Sequence, residues 1–173
     1  MEDQLIIVNE RDEMVGVGAK LKIHREGLLH RAFSIFIFNS HGKLLLQRRA
    51  LGKYHSPGLW SNTCCGHPCP GEHVLFASRR RLKAEMGLDC KLETFGSLIY
   101  RADVGDGLIE YEFDHLLIGY SELDPALNLK EAIEWRRVAL AELEREVRDR
   151  PSDFTCWLRV IMDSALHKFP IDS

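Results

Sequence analysis

Residues 80–88 read Arg-Arg-Leu-Lys-Ala-Glu-Met-Gly-Leu, and this stretch carries the strongest indication of the fold. It closes a segment of helical character that begins near Glu72 and ends at Gly87. A glycine directly after the last helical residues is typical of a left-handed C-cap, because glycine adopts a positive φ at little steric cost. Gly66, Glu72 and Arg80 follow one another with five and then seven residues between them. This spacing indicates a loop that contains Gly66 and leads into the helix.

Runs of apolar, β-branched and aromatic residues on both sides of this helix predict strands. The predicted strands are 5–8, 14–18, 32–38, 44–48, 95–101, 108–120 and 133–138, with a loop at 53–72 and further helices at 139–148 and from Pro151 onward. Because strands and helices alternate without βαβ regularity, we expect an α/β (α+β) fold with a mixed β-sheet sandwiched between helices. In the absence of a repeat or a Pro/Gly-rich linker, residues 1–173 are expected to form a single domain.

The composition excludes several classes of protein. Apolar residues make up 45% of the chain and charged residues 28%, which is ordinary for a globular domain and argues against disorder. A net charge of −3 leaves no overall basic character, so we expect no nucleic acid partner. No run approaches the ~20 apolar residues of a membrane span, and residues 1–9 carry acids where a secretory signal carries bases. A cytoplasmic protein without a membrane partner is expected.

The densest chemistry lies at residues 64–69, where three cysteines accompany His67. A zinc knuckle fits poorly, because structural zinc sites pair their ligands two to four residues apart and add a second pair further along. If the segment is extended, Cys65 and His67 point to one side and Cys64 to the other. Buried thiols without a function are the alternative, and the spacing does not decide between the two. The chain has five cysteines, and this odd number is a poor fit to a disulfide framework.

A second cluster is formed by Glu110 and Glu112, which alternate along a predicted strand and so project from one face. Adjacent carboxylates repel each other unless a cation lies between them, although a solvated edge strand would also carry such a pattern. Together with His24, His30 and His67 they make a set of five ligands that suits Mn²⁺, Mg²⁺ or Zn²⁺. Spacing alone does not bring the five together.

The segment 66–88 resembles the Nudix box, a loop–helix–loop in which helix carboxylates hold Mg²⁺ on a diphosphate. The match is partial, because Arg81 and Ala84 occupy two of the three helix glutamate positions and only Glu85 remains. The resemblance therefore implies a poor hydrolase that still binds one Mg²⁺ on a diphosphate.

The string Trp-Ser-Asn-Thr-Cys-Cys-Gly-His-Pro at 60–68, upstream of Glu110-Tyr111-Glu112, resembles the type I isopentenyl diphosphate isomerases over nearly the whole chain. That family implies a Nudix-type fold with an N-terminal extension and a Nudix-like core at about 28–162. Its activity interconverts isopentenyl and dimethylallyl diphosphate in isoprene biosynthesis. A proton is added and another removed through a tertiary carbocation. The implied partner is a small diphosphate.

The resemblance also assigns residues. Cys65, Glu112 and Tyr100 match catalytic positions, with Cys65 on the allylic side and Glu112, assisted by Tyr100, at the terminal methylene. The family's substrate-binding positions correspond to Lys20, Arg49, Lys53, Arg81 and Trp157. The implied metals are Mg²⁺ on Glu85 and the Cys65 backbone carbonyl, and Mn²⁺ or Zn²⁺ on His24, His30, His67, Glu110 and Glu112.

Two other functions remain open from the sequence: a Nudix diphosphohydrolase, and a non-enzymatic zinc-binding interaction module that would unfold without its metal. The sequence also leaves open which metal occupies the five-ligand site, which proton transfer belongs to Cys65 and which to Glu112, and whether the chain is a monomer or a weak homodimer.

Overall fold

A computed structural model describes residues 3–170 of the chain. The strands are β1 (Gln4–Val8), β2 (Met14–Ala19), β3 (His30–Phe38), β4 (Lys43–Arg49), β5 (Trp60–Ser61), β6 (Cys64–Gly66), β7 (Glu93–Gly105), β8 (Leu108–Tyr120) and β9 (Ala132–Ala139). The helices are α1 (Lys20–Glu26), α2 (Val74–Met86), α3 (Leu140–Asp149) and α4 (Cys156–Ser164), with 3-10 turns at Pro151–Asp153 and Leu166–Lys168. The predicted domain of 1–173 includes residues 1–2 and 171–173, which lie outside the described residues, and it stays a prediction.

The sheet is built around β3. This strand pairs antiparallel with β1, β4 and β6 and parallel with β8, while β7 pairs with β8 and β9 pairs with β4. Every residue of β3 except Arg31 is buried, which explains why its sequence is a continuous apolar run rather than an alternation. The predicted mixed sheet is confirmed.

The core lies on both faces of this sheet. Phe36 and Phe38 of β3 pack in one apolar cluster with α4, whereas Ile35 and Ile37 pack in a second cluster with α2. Alternate residues of one strand thus anchor helices on opposite faces, as the twofold periodicity of a strand requires. In the part of the chain from 3 to 170, no helix combines the length and the apolar character needed to cross a membrane.

One element was missed and two local predictions were wrong. Helix α1 was not predicted, because only Ile23 and His24 of its seven residues are buried and its N-cap residue makes no side-chain cap. The predicted loop at 53–72 contains β5 and β6, two short strands that are stabilised by pairing with β4 and β3. The last helix begins after Thr155, whose side chain caps it, rather than at Pro151, which opens a 3-10 turn.

Gly87 ends α2 in the predicted left-handed conformation, with φ of 64° and its N–H donating to the Lys83 carbonyl. A tertiary contact adds to this requirement. A Cβ at position 87 would lie 2.8 Å from the Cβ and the backbone oxygen of Ala126 in the loop that crosses the helix end. That loop is itself bonded to the helix, because the Ala126 N–H donates to the Met86 carbonyl.

Replacement of Gly87 by alanine is therefore expected to lower the free energy of unfolding by roughly 3 kcal/mol, the sum of a left-handed backbone penalty and a steric clash. Gly42→Ala is the matched control, because Gly42 also has a positive φ of 69° but a Cβ added there would meet no atom within 4 Å. Gly42→Ala should lower the free energy of unfolding, measured with urea, by about 1 kcal/mol. Equal costs for the two variants would contradict the role of the Ala126 contact.

Candidate active site

Four elements converge on one group of ligands, of which three are buried and His67 is half-buried. The parallel register places His30, the first residue of β3, opposite Glu112 of β8. His24 comes from α1, and His67 directly follows β6. One ligand atom from each of these four side chains lies within 4.8 Å of those of the others.

The donor set of this group fits a divalent ion. The Nδ1 atoms of His24 and His30 lie 2.7 and 2.9 Å from the backbone carbonyls of Lys20 and Leu28. Since a carbonyl only accepts, each Nδ1 carries the proton and each Nε2 presents a lone pair. Both Nε2 atoms are buried and, among residues 3–170, have no hydrogen-bond partner. Two unpaired imidazole nitrogens beside a carboxylate are the ligands that Zn²⁺ and Mn²⁺ accept.

The electrostatics differ among these ligands. Burial opposes protonation of His30, but the Glu112 carboxylate outweighs burial and raises the pKa of this imidazole. Burial lowers the pKa of His24 and of His67 to about 4, so both imidazoles are neutral at pH 7. Burial also opposes ionisation of Glu112, but the imidazoles of His30 and His67 beside it outweigh burial and hold its pKa well below the usual range. The His67 Nε2 lies 3.1 Å from a Glu112 oxygen and that of His30 lies 3.6 Å away.

Glu110, the fifth predicted ligand, lies beside this group and not within it. The Tyr100 hydroxyl lies 2.8 Å from one oxygen of Glu110 and 2.8 Å from one oxygen of Glu112, so its single proton is shared between the two carboxylates. The other Glu110 oxygen lies 3.1 Å from the Nε2 of His55. His55 was not predicted as a site residue, because it lies in the segment taken for a loop and no motif singled it out.

The two adjacent cysteines face different surroundings, as expected of an extended segment. The Cys65 sulfur lies 3.1 Å from the Asn62 Oδ1 and 3.6 Å from the Ser34 hydroxyl. Cys64 is buried in the core and its thiol contacts Glu85 at 3.4 Å. Burial raises the pKa of the Cys65 thiol well above its usual range, so the protonated form predominates.

The predicted cations gather around one cavity of about 250 Å³. Lys53 and Arg81 both contact Glu131, at 2.6 and 3.5 Å, and this carboxylate was not predicted from the sequence. Burial, with a further contribution from Lys53, lowers the pKa of Lys20. The predicted residues that line the cavity are Lys20, Arg49, Lys53, Cys65, His67, Arg81, Glu85, Tyr100, Glu110, Glu112 and Trp157.

Arg49 and Trp157 meet at this cavity. The Arg49 guanidinium carbon lies 5.0 Å from the centre of the Trp157 ring, within the range of a cation–π contact. One Arg49 nitrogen donates to the His55 carbonyl, whereas its buried Nε has no partner among the described residues. Trp157 is 3% exposed, and its indole N–H donates to the Ser61 hydroxyl at 2.9 Å.

The partial Nudix box at 66–88 keeps one of its helix carboxylates, Glu85. Glu85 is buried and accepts from Arg81 and from the Gln47 amide. Arg81 and Ala84 occupy the other two glutamate positions of the box, and neither side chain is an acidic ligand. Ala84 is exposed on the same helix.

Comparisons with known proteins agree with this arrangement. The family described as the NUDIX domain matches residues 28–158. Isopentenyl-diphosphate Delta-isomerase 2 of Aromatoleum aromaticum is 52% identical over 166 residues, which cover 96% of this chain and 88% of that protein. The isopentenyl-diphosphate Delta-isomerase of Burkholderia multivorans is 48% identical over 165 residues, covering 95% and 94%.

Solved structures share the fold at lower identity. DR0079 from Deinococcus radiodurans superposes with a TM-score of 0.78 at 20% identity and covers 93% of this chain and 98% of its own. The MutT protein from Methanosarcina mazei has a TM-score of 0.64 at 20% identity, covering 78% and 91%. The likeness to these two structures concerns the fold alone.

The His24 side chain is expected to be necessary for metal retention, because its lone pair contributes one of the four grouped ligands. After dialysis against Mn²⁺ or Zn²⁺, elemental analysis should find the metal in the parent chain. Titration with the same ion should show an affinity at least tenfold lower in His24→Ala. His41→Ala is the control, since His41 is exposed in the turn between β3 and β4 and lies outside the group. Undiminished metal in His24→Ala would contradict the site.

Proposed function

The chain belongs to the Nudix family and, within it, to the type I isopentenyl-diphosphate Delta-isomerases, and we propose that Cys65 and Glu112 carry the two proton transfers. The enzyme interconverts isopentenyl diphosphate and dimethylallyl diphosphate. The observation that supports the two residue roles is their position in one cavity, where a half-buried thiol and a buried carboxylate face the same space as the cations. The names of its relatives favour this activity over a diphosphohydrolase or a zinc-binding module.

The reaction begins with an unactivated alkene. A proton added to the terminal methylene leaves a tertiary cation at C3, and removal of a proton from C2 forms the internal double bond. We assign the first transfer to Glu112 with Tyr100, whose hydroxyl already lies 2.8 Å from a Glu112 oxygen. We assign the second transfer to Cys65. Trp157 would stabilise the cation through its ring face, a contact worth about 2 kcal/mol when desolvated.

The directions of the pKa shifts of Cys65 and Glu112 can be compared with the two proton transfers. The raised pKa of Cys65 favours the thiol, and the lowered pKa of Glu112 favours the carboxylate. Under this assignment, conversion of isopentenyl to dimethylallyl diphosphate ends with a thiol and a carboxylate, and the reverse conversion begins from them.

The diphosphate would bind at the cation-rich end of the cavity. Arg49 supplies a buried Nε without a partner among residues 3–170, and Lys20, Lys53 and Arg81 add positive charge. Arg81 takes a position where a hydrolase carries a carboxylate, so it binds the diphosphate and does not help to activate water. Glu85 and the Cys65 carbonyl would hold Mg²⁺ that accompanies the diphosphate.

A divalent ion bound by His24, His30, His67 and Glu112 would supply positive charge beside the Glu112 carboxylate. We propose Mn²⁺ or Zn²⁺ there, with Glu110 as a fifth ligand after a shift away from His55. A cytoplasmic location, a monomer or weak homodimer, and the absence of a nucleic acid or membrane partner remain part of the proposal.

The purified protein, incubated with isopentenyl diphosphate and Mg²⁺, is expected to form dimethylallyl diphosphate without releasing phosphate. Both products are followed in the same reaction. Phosphate release would contradict the interpretation of Arg81 and Ala84. A failure to form either product, with Mn²⁺ also present, would contradict the isomerase mechanism. Chelation should stop turnover and leave the chain folded, because its apolar core does not depend on the ion.

Cys65→Ala and Glu112→Gln are each expected to lower kcat by about 10³-fold or more, because each removes one group that transfers a proton. Thermal unfolding should show that both variants fold. Cys90→Ala is the matched control, since Cys90 packs against the α2 cluster away from the cavity. Near-normal turnover by either Cys65→Ala or Glu112→Gln would contradict the assigned roles.

A further inference from the structure

A continuous line of hydrogen bonds joins two of the proposed active-site residues through two that have no assigned role. The Trp157 indole N–H donates to the Ser61 hydroxyl at 2.9 Å. The Ser61 hydroxyl donates to the Asn62 Oδ1 at 3.0 Å, and the Cys65 thiol donates to the same oxygen at 3.1 Å. Ser61 and Asn62 thus connect the aromatic ring to the sulfur.

The direction of each bond follows from the donors available. An indole nitrogen only donates, so the Ser61 oxygen accepts from Trp157 and its own proton is free for Asn62. Both protons of the Asn62 amide nitrogen are occupied, because this nitrogen lies 3.1 Å from the Ile35 carbonyl and 3.0 Å from the Cys64 carbonyl. A flip of the amide would set its oxygen against two backbone carbonyls, which only accept, so the Oδ1 faces Ser61 and Cys65.

Burial makes this arrangement stiff. Asn62 is fully buried, and Ser61 and Trp157 are 2% and 3% exposed, so water does not replace a broken bond. A buried polar group that loses its partner retains the full cost of its desolvation. Because every donor and acceptor of the Asn62 side chain is used, neither the ring nor the sulfur can shift alone without leaving a group unpaired.

We infer that Ser61 and Asn62 are positioning residues, which set the Cys65 thiol and the Trp157 ring relative to each other around the reacting carbons. The inference rests on the proposed roles of Cys65 and Trp157. The cation would form between the ring and the sulfur. An error in their relative position therefore lowers the rate of the chemical step. Substrate affinity depends on the cations at the other end and is little affected.

Ser61→Ala and Ser61→Thr form a matched pair that isolates the hydroxyl. The alanine removes it, and the threonine retains it. We expect kcat of Ser61→Ala to fall by about tenfold, the factor that corresponds to one lost buried hydrogen bond, with KM changed less than twofold. Ser61→Thr should stay within about threefold of the parent kcat. A purely structural role would lower the melting temperature without separating kcat from KM.

Trp157→Phe tests the same line of bonds from its other end, because it retains a ring and removes the N–H donor. Its kcat should fall with KM changed less than twofold. In this background, Ser61→Ala should lower kcat by less than tenfold, since the Trp157–Ser61 bond that it removes is already absent. If Ser61→Ala does not fold, an unchanged kcat in Trp157→Phe overturns the inference.

The remaining outcomes separate the two levels of the proposal. An unchanged kcat in Ser61→Ala, an equal loss in Ser61→Thr at an unchanged melting temperature, or fully additive effects in the double variant would overturn the positioning role alone. Turnover by Cys65→Ala at the parent rate would instead overturn the proposed function, and the positioning role with it.

Discussion

The buried carboxylate of Glu112 is the constraint on which the rest of the structure depends. A carboxylate in the sheet interior is costly unless polar side chains surround it, and these side chains come from distant parts of the chain. Parallel pairing brings His30 beside it, the end of β6 brings His67, and the neighbouring strand brings Tyr100. The topology of the central strand is therefore also the means by which separate short motifs become one site.

Much of the fold was accessible from the sequence, because long strands buried on both faces leave long apolar runs and α2 ends at Gly87. The short elements were not accessible. Helix α1 and strand β6 are stabilised by contacts with elements remote in sequence, and their own residues carry no periodicity. In both cases the secondary structure is set by tertiary contacts and not by the local conformational preference of the residues.

The site residues show the same difference between those that a local motif indicates and those that only tertiary contacts bring together. Residues in a recognisable string, such as Cys65, could be assigned from resemblance, while His55 and Glu131 could not. His55 contacts Glu110, and Glu131 contacts Lys53 and Arg81, so the partners of both residues lie far along the chain. No spacing rule links such pairs, and only the folded arrangement reveals them.

The brevity of α1 has a consequence for how ligands act on one another. Lys20 and His24 lie one turn apart, and the lysine's own carbonyl orients the imidazole. Under the proposed roles, Lys20 faces the diphosphate and His24 faces the metal, so a displacement of this single turn would move both contacts together. Binding of one ligand would then change the affinity for the other, and thermodynamic linkage requires that influence to be equal in both directions.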